Sequence, residues 1–129
     1  MQFLKSGHLT NGNVFVTVTA MIEIRYYLDT YGHSPFDEWF SGLDSGARAK
    51  VAVAIVRLEQ GNLSNVKSVG EGVLEYRINF GPGYRAYFGC DGEALVILLT
   101  GGTKKRQQRD IDAAKEFWAD YRRRKSGPR

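Results

Sequence analysis

An α+β domain is predicted by three observations. A helix-start signal at Ser34–Pro35 opens two adjacent helical segments. After Val73, three strand-like runs follow one another, separated by glycine turns. Beyond residue 103 the hydrophobic residues fall at helical spacing. With a strand starting near Met21, the expected order is β-α-α-β-β-β-α in one domain, which suits a chain of 129 residues.

Each element has a local reason. In "NVFVTVTA", Val14, Val16 and Val18 alternate with Phe15, Thr17 and Thr19, as in a strand. Met21 then opens a self-contained pattern, with Ile22, Ile24 and Tyr26 on one face. Residues 1–20 are therefore expected to be an N-terminal extension or a mis-called start, with the domain at 21–125 and a short tail at 126–129. Ser34 is placed to cap a helix with Pro35 at its first position, and Asp37 and Glu38 complement the dipole in its first turn. Phe36, Trp39, Phe40 and Leu43 form its apolar stripe. A second helix starts at Asp44 or Ser45, carries Val51, Ile55 and Leu58, and closes at Gly61. The two make an αα-hairpin. Residues 94–100 are apolar on both faces, so that strand belongs inside the sheet. Ile111, Ala114, Trp118 and Tyr121 define the last helix.

Charge is unevenly distributed. Residues 104–129 carry ten Lys/Arg against four Asp/Glu, and the remainder eight against ten, for a net +4. A basic C-terminal third on a mildly acidic body points to an anionic partner, nucleic acid first. No apolar run approaches the ~20 residues of a membrane helix. No secretory pattern opens the chain, and Cys90 has no partner for an internal disulfide. A reducing cytoplasm without membrane attachment is the expected setting.

The candidate site comes from the strand register. Leu74, Tyr76, Ile78 and Phe80 alternate with Glu75, Arg77 and Asn79; across the turn, Tyr84, Ala86 and Phe88 alternate with Arg85 and Tyr87. A three-residue loop at 81–83 pairs Phe80 with Tyr84, Asn79 with Arg85 and Arg77 with Tyr87. A two-residue loop would mix the faces along the whole hairpin. The expected result is one polar face holding Arg77, Asn79, Arg85 and Tyr87, with cross-strand neighbours about 5 Å apart. Close arginines repel unless an anion lies between them. The run Lys104, Lys105, Arg106, Gln107, Gln108, Arg109 sets the same problem at a helix start, where each exposed cation costs roughly 0.3–1 kcal/mol. A bound phosphate reverses that sign. The competing explanation is neutralisation by Glu75, Asp110 and solvent.

Absences narrow the chemistry. His8 and His33 are the only histidines, and His33 reads as a solvated turn residue, so neither a two-histidine nuclease nor a histidine-rich metal site is expected. "GPG" and "GG" read as turn chemistry and lack a P-loop signature. Cys90 has no neighbouring base and reads as incidental. Phosphodiester cleavage here would fall to Lys, Arg and Tyr, with no cofactor and no metal.

The segments "LEYRINFGPGYRAYF" and "LVILLTGGTKKRQQRDIDAAKEFW" resemble the phage-derived addiction-module killer branch of the RelE/ParE toxin superfamily, close to the HigB-like toxins. The resemblance runs from about Met21 to about Lys125. It implies a small fold with a twisted, mostly antiparallel sheet flanked by helices. It also implies a toxin of a type II toxin–antitoxin module, a metal-independent endoribonuclease that cuts mRNA in the ribosomal A site, paired with a helix-turn-helix antitoxin. By position, Arg77 matches the arginine of the family's L-x-R strand, Arg85 that of its G-x-YR segment, and Lys104 the lysine of its GG-x-K turn. Tyr87 and Lys105 match more loosely. The roles implied are a phosphate clamp for Arg77 and Arg85, acid or base for Lys104, and stacking or proton relay for Tyr87. Gln107 or Gln108 would orient the ribose or phosphate, with Asn79, Lys105, Arg106 and Arg109 in the RNA surface. Two alternatives remain open: a ParE-like gyrase inhibitor that cuts no RNA, and a non-toxic RNA- or partner-binding module.

Overall fold

The computed structural model describes the backbone of residues 5–11 and 14–127 and the side chains of residues 21–127. The elements run β1 (Lys5–Asn11), β2 (Val14–Ala20), β3 (Glu23–Tyr26), α1 (Pro35–Ser41), α2 (Ser45–Glu59), β4 (Val66–Gly70), β5 (Val73–Ile78), β6 (Tyr84–Cys90) and β7 (Leu95–Thr103). A 3₁₀ turn (Lys104–Arg106) then leads into α3 (Gln107–Lys125). β1 and β2 form an antiparallel pair of their own. The side chain of His8 lies outside the described residues.

The main sheet has the order β3-β7-β6-β5-β4, with β3 parallel to β7 and every other pair antiparallel. Helices cover both faces, which is the expected α+β architecture. Even-numbered residues of β5 to β7, such as Tyr76, Ala86, Val96 and Leu98, pack with Phe36 of α1 and Val51 and Leu58 of α2. Odd-numbered ones, Val73, Tyr87, Ile97 and Leu99, pack with Ile111, Ala114 and Trp118 of α3. β7 is apolar on both faces because both are covered, and it lies inside the sheet as expected. Each large side chain fully buried there contributes roughly 1.5–3 kcal/mol.

The caps are the ones the sequence announces. Ser34 Oγ accepts from Asp37 N at 3.0 Å, and Asp44 Oδ1 accepts from Ala47 N at 2.9 Å. At the far end, the phenols of Tyr27 and Tyr121 donate at 2.6 Å to Asp120 and Asp91, fixing α3 to the end of β3 and to the β6–β7 turn. Burial first, then the accepting carboxylates, push both phenols up to about 12.

Three expectations need correction. The first concerns β4, which the sequence reading leaves out. Only Val66 and Val69 are apolar in it, and a register shift between Ser68 and Gly70 breaks the period of two. The second is the hairpin register. Arg77 faces Arg85, Glu75 faces Tyr87 and Ile78 faces Tyr84, so the connection is Asn79–Gly83 rather than three residues. Gly83 N donates to Phe80 O at 3.0 Å and Gly81 has a φ of 54°, so the turn starts one residue early and Asn79 leaves the ladder. The slip is two residues, so every side chain keeps its face while changing its partner.

The third correction is that Gly101 and Gly102 are not a turn; both lie within β7. A Cβ on Gly101 would come within 2.2 Å of the Trp39 ring, and one on Gly102 within 1.8 Å of Asp110 Oδ2. The pair lets α1 close on one face and α3 on the other. Gly101→Ala is expected to destabilise the fold by about 1–3 kcal/mol through overpacking. A thermal melt checks this; an unshifted midpoint would mean Trp39 does not seat on this strand.

Candidate functional site

β5 and β6 put their polar residues on the face beneath α3, and that face is largely closed. Glu75 is fully buried and Arg85 is 6% exposed. Glu75 stands opposite Lys67 on one side and Tyr87 on the other. Three cations converge on its carboxylate: Arg77 Nε at 3.5 Å, Arg85 Nε at 3.7 Å and Lys67 Nζ at 3.9 Å. Gln107 Nε2, from the first turn of α3, donates to Glu75 Oε2 at 2.9 Å. The anion between the two arginines is therefore first of all an internal carboxylate. With three cations to one carboxylate, the cluster keeps an excess of positive charge.

That excess opens at one edge. Arg77, Asn79, Gly83, Arg85 and Lys104 line a cleft of about 200 Å³ whose lining contains no carboxylate. Gly83 O accepts from Lys104 N at 2.9 Å and from Arg85 Nη1 at 3.2 Å, so one carbonyl joins the hairpin loop, Arg85 and the basic turn. Gly83 has a φ of 80°, and a Cβ there would lie 3.3 Å from Arg85 Nη1. Glycine thus serves both the turn and the passage of Arg85. Lys104, Lys105 and Arg106 are exposed in the 3₁₀ turn, and no side chain caps either that turn or α3.

Placement separates the expected residues into two sets. Arg77, Asn79, Arg85 and Lys104 share the cleft. Lys105, Arg106 and Arg109 are exposed beside it in sequence. Tyr87 and Gln107 belong to the interior instead. The Tyr87 ring is fully buried and offers no face to a base. Burial, then the Glu75 and Asp110 carboxylates, hold its phenol above the ordinary range. Gln107 turns inward to Glu75, and Gln108 donates to Asp112 at 3.0 Å along the helix. Asp110 sits against Gly102, and its carboxyl is raised by burial, against the pull of Arg109 and Arg106.

The remaining candidate residues have local partners. His33 is an exposed turn residue whose N–H, with that of Tyr31, donates to Asp29 Oδ1. Cys90 packs on the core, and burial pushes its thiol up to about 12. The basic end of α3 is partly paired, Arg123 and Arg124 with Asp120 and Lys125 with Asp91. Among the described residues no group of three or more His, Cys, Asp or Glu side chains is placed to hold a metal ion, and no helix is long and apolar enough to cross a membrane. Sequence reasoning missed Lys67 because it missed β4, and it took Glu75 as one neutralising charge among several rather than as the hub.

The sequence is similar to known proteins across this region. The profile of the phage-derived Gp49-like family (DUF891) matches residues 38–118. An uncharacterized protein of Haemophilus influenzae is 47% identical over 81 residues, 62% of this chain and 82% of its own length. The family match takes in the second half of α1, all of α2, the Glu75 cluster, the cleft and most of α3. The chain belongs to the phage-derived Gp49-like family, a family of RelE-like toxins.

Proposed function

We propose that this protein is the toxin of a type II toxin–antitoxin module, HigB-like within its family, and that it cuts mRNA on the ribosome. The observation that carries the reading is the carboxylate-free cleft, where Arg77, Arg85 and Lys104 meet beside an internal cluster of excess positive charge. A phosphodiester suits that cleft, because guanidinium forks match phosphate oxygens. In the proposed reaction the 2′-hydroxyl attacks the adjacent phosphorus, the P–O5′ bond breaks, and a 2′,3′-cyclic phosphate is left. The hydroxyl proton passes to a base and the 5′-oxygen takes up a proton. Arg77 and Arg85 stabilise the charge that develops on the equatorial oxygens. Lys104 is the amine placed at the cleft for a proton transfer. Tyr87 is assigned to the scaffold of the cluster, with Glu75 and Gln107. No metal or other cofactor enters the scheme.

Lys105, Arg106 and Arg109 extend the basic surface toward the RNA phosphates of the ribosome, an attraction that weakens steeply with salt. The cognate partner is a helix-turn-helix antitoxin that covers this face, and the site of action is the cytoplasm. Primer extension on a reporter mRNA after brief induction tests the reading. Cuts confined to the translated message, in phase with its codons, are expected. Growth arrest with intact mRNA would overturn it and point to gyrase; undisturbed growth would point to a binding module.

A further inference from the structure

A second cleft, of about 320 Å³, lies between α2 and β5. Lys50, Val53, Ala54 and Arg57 line it from α2, at helical spacing i, i+3, i+4 and i+7 that sets them on one face. Asn65, Arg77, Asn79 and Phe80 complete its polar and aromatic walls, and no carboxylate lines it. Lys50 and Arg57 have no carboxylate within ion-pair distance among the described residues, and the Asn65 and Asn79 side chains make no hydrogen bond there. Phe80 is 38% exposed, with Tyr84 stacked at 6.4 Å between ring centres and Lys50 Nζ 5.5 Å from the Phe80 ring centre. Arg77 and Asn79 line both clefts, so the two meet.

A partly exposed aromatic ring, two cations without carboxylate partners and two amides without hydrogen bonds suit one ligand class. Single-stranded nucleic acid stacks its bases on aromatic rings, places its phosphates by cations and has its base edges read by amides. We propose that the α2–β5 cleft is a nucleotide subsite. It receives the nucleotide next to the scissile phosphate, with the base against Phe80 and its own phosphate between Lys50 and Arg57. Asn65 and Asn79 face the base edge and bias which base is accepted. This rests on the proposed RNA reading and extends it to a site outside the phosphate cleft.

The test is fluorescence anisotropy at low ionic strength, using the intact chain and a labelled 2′-O-methyl hexanucleotide, which lacks the attacking hydroxyl and stays uncut. Phe80→Ala is expected to weaken binding about tenfold, with Phe80→Trp restoring it. Lys50→Ala and Arg57→Gln are expected to weaken binding and each to flatten the dependence of affinity on salt by about one phosphate contact. Arg85→Ala reports on the other cleft. If it weakens binding while Phe80→Ala, Lys50→Ala and Arg57→Gln all bind as the parent does, the subsite falls and the phosphate cleft stands. If the parent does not bind the oligonucleotide, the subsite falls, while the phosphate cleft stands or falls by the primer-extension result.

Discussion

Glu75→Ala is expected to be the most damaging single substitution in the sheet, lowering stability by about 3 kcal/mol. Glu75 has no exposed surface, and Arg85 beside it is nearly as enclosed. Removing the carboxylate leaves a guanidinium in the interior with a second one opposite it on the neighbouring strand. The contacts to Glu75, 3.5 to 3.9 Å, are long for ion pairs, so the direct attraction is modest. The larger part of the effect is the desolvated charge left behind. Loss of the Gln107 hydrogen bond, which ties α3 to the sheet, adds to it. Glu75→Gln keeps the volume and an acceptor for Gln107 but not the charge, so it should fall between parent and alanine. Thermal melts at neutral pH give the answer: a fall of about 10 °C is expected for the alanine variant. Superimposable curves would mean that water, not Glu75, neutralises these arginines.

Much of the fold was legible in the sequence, for identifiable reasons. The caps of α1 and α2 are short-range chemistry, and Ser34 and Asp44 act as their residue types dictate. The two-sided burial of β7 follows from its unbroken apolar run. β4 was hidden because its signal is distributed: two valines three apart, a bulge, and Lys67, whose value appears only when Glu75 lies across from it. The hairpin slip was hidden because faces constrain register only in steps of two; turn geometry makes the final choice, and a turn at Phe80–Gly83 and one at 81–83 read alike. Gly101 and Gly102 looked like a turn because Trp39, which Gly101 admits, is distant in sequence, and Asp110 meets Gly102 only once α3 folds back on the sheet. Of the candidate residues, Arg77, Asn79, Arg85 and Lys104 line one cleft, whereas Tyr87, expected on the same polar face, is buried. What the sequence could not reveal is depth. Alternation distinguishes two faces of a sheet, but whether a polar face meets water or a helix depends on where α3 returns.

Arg85→Ala is expected to reduce RNA cleavage by about 10²–10³, the loss that follows from removing one preorganised donor to a developing oxyanion. Arg85→Lys should recover little of it, because an ammonium cannot at once reach Glu75, the Gly83 carbonyl and a phosphate in the cleft. Arg85 is also part of the fold, so cleavage must be read beside stability. Loss of Arg85 leaves Glu75 with Arg77, Lys67 and Gln107, so Arg85→Ala should be milder than Glu75→Ala in a melt while being far more damaging to catalysis. The double variant Glu75→Ala/Arg85→Ala separates the two effects. Without the carboxylate, the buried guanidinium is a liability, and removing it should return stability relative to Glu75→Ala alone, a coupling of about 0.5–3 kcal/mol. Cleavage should stay at the Arg85→Ala level or below. Full cleavage by a well-folded Arg85→Ala protein would move the scissile phosphate out of this cleft. A double variant no more stable than Glu75→Ala would show that the carboxylate and the guanidinium do not depend on each other.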